Sequence, residues 1–344
     1  MADEPGTGTH APLVVVGASA GGVDALTELV RGLPADLPAP VLIVLHVAPS
    51  SPSLLPRILN RSTEMAVAAA LDGDALESGH VYVAPPDQHL VVEDGVIRLQ
   101  ATATVNGHRP AVDPLFTSAA AAYGGDVVGV ILSGTRDDGT AGLAEIKAQG
   151  GTTIVQDPDT ARYAGMPLSA IDNVHVDAIL ALEEIGPAIA SVCKTGKLPD
   201  GLNATAPVDD LPDDRLASIC PECGGVLLEH DENGVAVFRC HVGHSYGPRT
   251  LADMQGTEVE RALWTAVRML EDRQALLRRL AEQSTSREQI RSARRFTSQA
   301  DEATRQADTV RAALRAFAES TGLGDPLPAQ REEENGTLRL EESA

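Results

Sequence analysis

Between residues 13 and about 195, short uninterrupted apolar runs alternate with stretches whose apolar positions recur every three to four residues. This pattern predicts buried strands and the helices that cover them. Residues 13–16 form the first run and end at Gly17; Val23, Leu26, Leu29, Val30 and Leu33 then share one helical face that Pro34 closes. Residues 41–45 form a second run, followed by a helical segment around Leu54, Leu55, Ile58 and Leu59. Such alternation predicts an α/β fold with a doubly wound, mostly parallel sheet built from crossover units. The middle breaks the rhythm. Residues 81–84, 90–93 and 96–99 read as strands in close succession, the last two joined through Asp94-Gly95, so a β-ribbon insertion is expected to decorate the sheet. The wound pattern resumes with a helix around Leu115, Phe116 and Ala119, a strand over 127–132, a helix around Leu143 and Ile146, and a strand over 152–155.

One α/β unit over 12–195 is therefore expected. Residues 196–215, rich in Pro, Asp, Gly and Asn without a period, read as a linker. A compact Cys/His segment occupies 216–248. From 256 to 318 the 3-4 rhythm returns, through Val259, Leu263, Ala266, Leu270, Leu277 and Leu280, then Ala300, Ala303, Ala307, Val310, Leu314 and Phe317. Two helices separated near 284–286 are predicted, as an α-helical hairpin or a coiled coil; the stripe packs on its own partner helix, or serves oligomerisation or partner docking. Residues 319–344 are acidic and Pro-bearing, and are expected to be disordered.

Composition narrows the function classes. With 344 residues the chain exceeds what one core usually supports, so two or three structural units are expected. Apolar residues reach 43% but aromatics only 3%, leaving Val, Leu, Ile and Ala to fill the core. A formal charge of -22 opposes nonspecific binding to nucleic acid or anionic lipid. No apolar run approaches the roughly 20 residues of a membrane span. Residues 1–12 carry acidic groups and no Lys or Arg, unlike the start of a secretory signal, so the expected location is cytoplasmic. In that reducing compartment Cys193, Cys220, Cys223 and Cys240 are not read first as disulfides, and Cys193 reads as a small apolar helix residue.

Three predicted strands end in unusual chemistry. The first runs into Gly17-Ala18-Ser19-Ala20-Gly21-Gly22, the second into His46, and the strand over 127–132 into Ser133-Gly134-Thr135-Arg136-Asp137-Asp138-Gly139. In an open parallel sheet the carboxyl ends of the strands share one edge, so Ser, His and Asp converge there. The Gly17-x-Ser19-x-Gly21 turn puts a hydroxyl on a sharp strand-to-helix corner, as in a nucleophile elbow. A neutral imidazole, His46, suits the removal of its proton, and a carboxylate from Asp138 or Asp137 can hold the imidazole's other nitrogen. Glycine-rich turns also cradle dinucleotide phosphates, but the second strand ends in His46-Val47-Ala48-Pro49 with no acidic residue for a ribose. The order Ser, His, Asp differs from the Ser, acid, His order of α/β-hydrolases.

Six ordered segments, Val14 to Gly22, His46, Tyr82-Val83-Ala84-Pro85-Pro86, His108-Arg109-Pro110-Ala111-Val112-Asp113, Leu132 to Gly139, and Gly165-Met166-Pro167, resemble the catalytic domain of chemotaxis protein-glutamate methylesterases. The resemblance implies Ser19 as nucleophile, His46 as base, Asp138 as the acid, and the N–H groups of Ala20 and Thr135 as oxyanion donors. It implies hydrolysis of glutamate γ-methyl esters, and glutamine deamidation by the same acyl chemistry, without a catalytic cofactor. The implied partners are methylated chemoreceptors or receptor-like helical proteins, with a signalling kinase or methyltransferase besides. The familiar regulatory form has an N-terminal receiver domain, whereas the similarity here begins by residue 13, so a stand-alone form is expected. Thr135-Arg136 stands in place of the more usual Met-Gly, and Val47-Ala48-Pro49 in place of Met-Pro. A catalytically silent signalling scaffold built on the same fold and helical module is the alternative.

Cys220-Pro-Glu-Cys223, sixteen residues, then Cys240-His-Val-Gly-His244 has zinc-ribbon spacing around a predicted hairpin of residues 226–229 and 235–239. Four ligands leave no open position, so a structural zinc is expected. The fourth ligand is His244 or His241; Cys-x-x-Gly-His resembles the second knuckle of ribbons appended to some stand-alone methylesterase-like proteins, which favours His244.

Overall fold

Runs such as Val-Leu-Ile-Val-Leu, with no polar interruption, can be stabilised only where both faces of a sheet are covered. The computed structural model, in which residues 11–199, 201–202, 204–205 and 217–321 are described, places them there. Along the chain come β1 (Leu13–Ala18), α1 (Gly22–Gly32), β2 (Val41–Leu45), α2 (Leu55–Leu59), β3 (Ala66–Ala69) and β4 (His80–Val83). Next are β5 (His89–Glu93), β6 (Val96–Gln100), α3 (Val112–Tyr123), β7 (Val127–Ile131), α4 (Thr140–Ala148), β8 (Thr152–Gln156), α5 (Gly165–Asn173), β9 (Ala178–Leu180) and α6 (Leu182–Thr195). Seven strands form one sheet in the order β3-β4-β2-β1-β7-β8-β9, with every pairing parallel. The central strand β1 is buried along its whole length. Its Val14 and Val16 face a core shared with Leu26 and Leu29 of α1 and Ile185 and Ile189 of α6. Leu13 and Val15 face the opposite core, with Leu115 and Phe116 of α3 and Leu143 and Ile146 of α4.

The expected β-ribbon is present, but it forms a separate two-stranded sheet, β5 with β6. Its turn is Asp94-Gly95, both with positive φ, at 50° and 74°, the twist a two-residue hairpin requires. The hairpin covers α3, where Ser118 Oγ accepts the N–H of Val92 at 3.0 Å. Edge strand β3 has no apolar run to announce it, only Ala-Val-Ala-Ala.

The chain divides into two units, 1–253 and 254–344. The first also contains the Cys/His segment, folded as the antiparallel sheet β10 (Ala217–Ile219), β11 (Val226–Glu232), β12 (Val235–Cys240) and β13 (Ser245–Tyr246). Val235 and Val237 of β12 join the core that holds α3 and α4. Helix α7 (Pro248–Ser286) leaves this unit, and its later turns run beside α8 (Ile290–Thr321) in the second unit. There Val267, Leu277, Ala281, Ala300, Ala303, Ala307 and Leu314 are buried, and Gln274 Nε2 donates to Thr304 Oγ1 at 2.7 Å. The predicted hairpin stripe is thus partly satisfied by its own partner helix. The linker expected at 196–215 and the tail expected at 319–344 lie largely outside the described residues. Among the described helices none is long and apolar enough to cross a membrane.

Helices α1 and α6 approach through glycine. A Cβ on Gly186 would lie 2.7 to 2.9 Å from the backbone of Gly32, closer than backbones tolerate without shifting. Gly186→Ala is therefore expected to lower stability by about 1–3 kcal/mol, measured as an earlier midpoint in urea denaturation.

Candidate active site and metal site

Ser19 is placed by the corner between β1 and α1. Its N–H donates to the Ser133 carbonyl at 3.0 Å, and its own carbonyl accepts the N–H of Gly22 at 2.8 Å. Gly21, at φ 73°, takes the left-handed conformation that lets α1 start at once. His46 follows β2 directly, its N–H donating to the Ala18 carbonyl at 3.2 Å. Asp138 lies two residues before α4. Gly139 follows it at φ 91°, where a Cβ would meet Ile131 and Val112 side chains at 2.6 and 2.7 Å.

These three side chains meet. His46 Nδ1 is 3.0 Å from Ser19 Oγ, and His46 Nε2 is 2.6 Å from Asp138 Oδ2. The imidazole presents Nδ1 to the serine, the reverse of the orientation in the serine-protease triad. Asp138 also accepts the N–H of Val112 at 2.6 Å and the amide N–H of Asn106 at 2.8 Å. Burial alone would raise its pKa, but the His46 bond and charge, with Val112 and Asn106, outweigh it and hold the carboxyl below the usual carboxylate range. An ionised Asp138 requires hydrogen on Nε2, which leaves Nδ1 free to accept the serine proton. Neither the Ala20 nor the Thr135 N–H is hydrogen-bonded among the described residues.

Three neighbours gave no separate signal in the sequence. His108 stacks on His46 with ring centroids 3.8 Å apart and planes 13° from parallel. Burial, then the adjacent His46, push it down to about 4, so it stacks as a neutral ring. Asp113 is raised well above the usual range by burial and then by Asp138; its Oδ1 accepts the N–H of Gly142 at 2.8 Å. Asn106 donates to Asp138 and, at 2.9 Å, to Asp113 Oδ2. His108 and Asp113 sit in the segment that carried the family resemblance, whereas Asn106 lies two residues before it. Asp137, the alternative partner for His46, does not touch it. Its carboxylate instead accepts the N–H groups of Arg249 at 2.8 Å and Thr250 at 3.2 Å, at the start of α7.

The second constellation is the Cys/His cluster. The Sγ atoms of Cys220, Cys223 and Cys240 and a ring nitrogen of His244 lie within 4.8 Å of one another. His244 Nδ1 is 3.6 Å from Cys220 Sγ and 3.5 Å from Cys240 Sγ, and Cys223 Sγ is 3.6 Å from Cys240 Sγ. A tetrahedral ion with bonds of about 2.0–2.3 Å needs ligand separations of about 3.3–3.8 Å, and these three separations match it. His241 is not in the cluster; its ring stands against Gly225, where a Cβ would lie 2.7 Å away. Glu222 supports the set. It lies 3.5 Å from His244 Nε2 and accepts from Tyr246 Oη at 2.9 Å and Thr104 Oγ1 at 2.7 Å.

The family pattern of CheB methylesterase matches residues 14–189, just over half of the chain. The chain belongs to the CheB methylesterase family. A protein-glutamate methylesterase/protein-glutamine glutaminase of Anaeromyxobacter dehalogenans is 40% identical over 190 residues, covering 55% of this chain and 56% of that one. A putative enzyme of the same description from Leptospira interrogans is 40% identical over 173 residues, covering 50% of this chain and 90% of its own. The crystal structure of the Thermotoga maritima CheB methylesterase catalytic domain superposes with a TM-score of 0.52 at 34% identity, covering 54% of this chain and all of that one. The chain thus spans just over half the length of the first of these relatives. Ser19, His46, Asn106, His108, Asp113 and Asp138 all fall inside the CheB methylesterase match, and the Cys/His cluster falls outside it.

Asp113 makes the stability of this CheB methylesterase domain depend on pH. A carboxyl whose pKa is raised in the folded state contributes fully below its unfolded value, near 4, and the contribution is lost as pH rises through the folded value. Asp113→Asn removes that loss. The stability of the variant minus that of the parent is expected to increase as pH rises above about 4 in denaturation series, and a flat difference would refute the raised pKa.

Proposed function

We propose that this chain hydrolyses the γ-methyl esters of glutamate side chains on chemoreceptor-like helical proteins, with deamidation of glutamine by the same route. The observation that carries the reading is the relay Ser19–His46–Asp138, at 3.0 and 2.6 Å, on the carboxyl edge of the sheet. Ser19 Oγ attacks the ester carbonyl while His46 Nδ1 takes its proton, and Asp138 stabilises the imidazolium through Nε2–H. The negative charge on the former carbonyl oxygen is met by the N–H groups of Ala20 and Thr135, which have no other partner among the described residues. Collapse expels methoxide, protonated by His46 to methanol, and leaves an acyl-Ser19. Water, deprotonated by His46, then attacks the acyl carbon and frees the glutamate carboxylate. With glutamine the leaving group is ammonia. His108, neutral and stacked at 3.8 Å, limits the tilt of the imidazole without adding a charge that would oppose its protonation.

The segments flanking His46 suit a polypeptide substrate. Val23, Leu45, Val47, Leu54 and Ile58 line an apolar groove of about 260 Å³ beside it, wide enough for side chains of an amphipathic helix. No metal enters the reaction in this reading. Cys220, Cys223, Cys240 and His244 hold a zinc ion that supplies folding energy to a segment too small to form a core of its own. Such thiolates persist in a reducing compartment, which supports a cytoplasmic location.

Purified protein is expected to release methanol from methylated receptor, and Ser19→Ala to lower turnover by roughly 10⁴- to 10⁶-fold. A fluorophosphonate probe should label Ser19 in the folded protein; a folded chain that resists the probe would be a scaffold and not an enzyme. For the metal, the native chain should carry one zinc ion by elemental analysis, and Cys223→Ser should lose it.

A further inference from the structure

The backbone that leaves the Cys/His cluster runs directly onto the residue that holds Asp138. After His244, the Ser245 carbonyl accepts the N–H of Asn106 at 2.7 Å, and the Gly247 N–H donates to Asn106 Oδ1 at 2.7 Å. The amide nitrogen of Asn106 faces the other way, onto Asp138 Oδ1 at 2.8 Å and Asp113 Oδ2 at 2.9 Å. Only 2% of Asn106 is exposed, and its backbone N–H and Oδ1 are both committed to the exit from the cluster. Its φ of 53° is the left-handed conformation that asparagine adopts more readily than most residues with a side chain. A second tie lies one residue from Asp138, where Asp137 receives the first N–H groups of α7. A Cβ on Gly247 would lie 2.4 Å from the Asp137 carboxylate, so this exit has one tight seat. On the cluster side, Tyr246 Oη lies 3.4 Å from Cys220 Sγ and donates to Glu222, which faces His244. From ligand to triad the path is His244, the backbone of 245–247, Asn106, Asp138, His46.

We propose that Asn106 is a positioning residue for Asp138, and that a metal ion held by Cys220, Cys223, Cys240 and His244 sets Asn106 through residues 245–247. The inference rests on the reading of Ser19, His46 and Asp138 as a hydrolytic relay. Without the ion, four short strands lose the link that closes them, and the two bonds from 245–247 to Asn106 go with it. Asp138 then loses a donor and the seat that fixes its angle to His46. A misplacement of about 1 Å in a relay of this kind lowers rates by up to about 100-fold.

The test uses the full chain. After zinc is stripped with a chelator and its loss verified, fluorophosphonate labelling of Ser19 is expected to slow roughly 10- to 100-fold. The most downfield proton resonance, from the His46 Nε2–H on Asp138, should shift or broaden in the same sample, and readmitted zinc should restore both. Asn106→Ala is expected to lower the saturating rate of acylation without much change in half-saturation, and to show no further loss on stripping, because both perturbations cut the same path. Where that variant does not fold, Cys223→Ser supplies the metal-free state in its place. The proposal fails if a zinc-free, folded chain labels at the native rate with an unmoved resonance, or if the two losses multiply as independent sites do. Absence of labelling in the zinc-loaded protein would overturn the hydrolase reading instead, and the proton resonance would still decide the coupling.

Discussion

A carboxylate that is 2% exposed and ionised is costly unless every oxygen is met by a donor. Asp138 is met by His46 on one oxygen together with the Val112 N–H, and by Asn106 on the other. Val112 is the first residue of α3, so the carboxylate also sits where that helix presents unpaired N–H groups and the positive end of its dipole. The exchange is reciprocal: Asp113 of α3 accepts the N–H of Gly142 in the first turn of α4, the helix that Asp138 precedes. Two helices are thus locked at their starts by each other's aspartates. The approach is close, for a Cβ on Gly142 would lie 2.5 Å from Phe116 Cβ.

The same pair shows how one environment separates two acids. Both carboxyls are buried, yet Asp138 has the imidazole to offset its burial, while Asp113 has the repulsion of Asp138 added to its own. Their pKa values move in opposite directions, the arrangement by which a site keeps one group charged and its neighbour neutral. Asp137, next to Asp138 in the chain, adds a third role. The two lie at the turn before α4, where the Thr140 N–H donates to the Asp137 carbonyl, and their side chains part: Asp138 turns to His46 while Asp137 turns to the start of α7.

That division gives the Cys/His segment a place in the unit that contains the relay. It packs Val235 and Val237 into the core of α3 and α4, joins Thr104 through Glu222, and delivers residues 245–250 to Asn106 and Asp137. The CheB methylesterase match ends at residue 189, so these contacts join the shared fold to a part of the chain beyond that match.

Much of this was legible in the chain because the physics is local. An apolar run records a buried strand, the residue after it records the sheet edge, and Cys-x-x-Cys spacing records a knuckle; Ser19, His46, the Asp137-Asp138 pair and the cysteines follow from such neighbours. Of the helical stripe over 259–280 and 300–317, Leu277, Ala300, Ala303, Ala307 and Leu314 are buried, whereas Val259 is exposed. Other features depend on partners far away in sequence. Asn106 meets Asp138 across 32 positions and Gly247 across 141, and no periodicity encodes such a bond. The choice between Asp137 and Asp138 as partner of His46, and between His241 and His244 in the cluster, turned on where a backbone pointed a side chain. Strand β3, an alanine run at the sheet edge, is held by pairing with β4 and carries no hydrophobic signal. The sequence by itself therefore determined which residues could do chemistry, because burial and turn propensity are written locally; the tertiary structure alone decided which buried polar atom each would satisfy, because that demand is met only by groups the fold brings together.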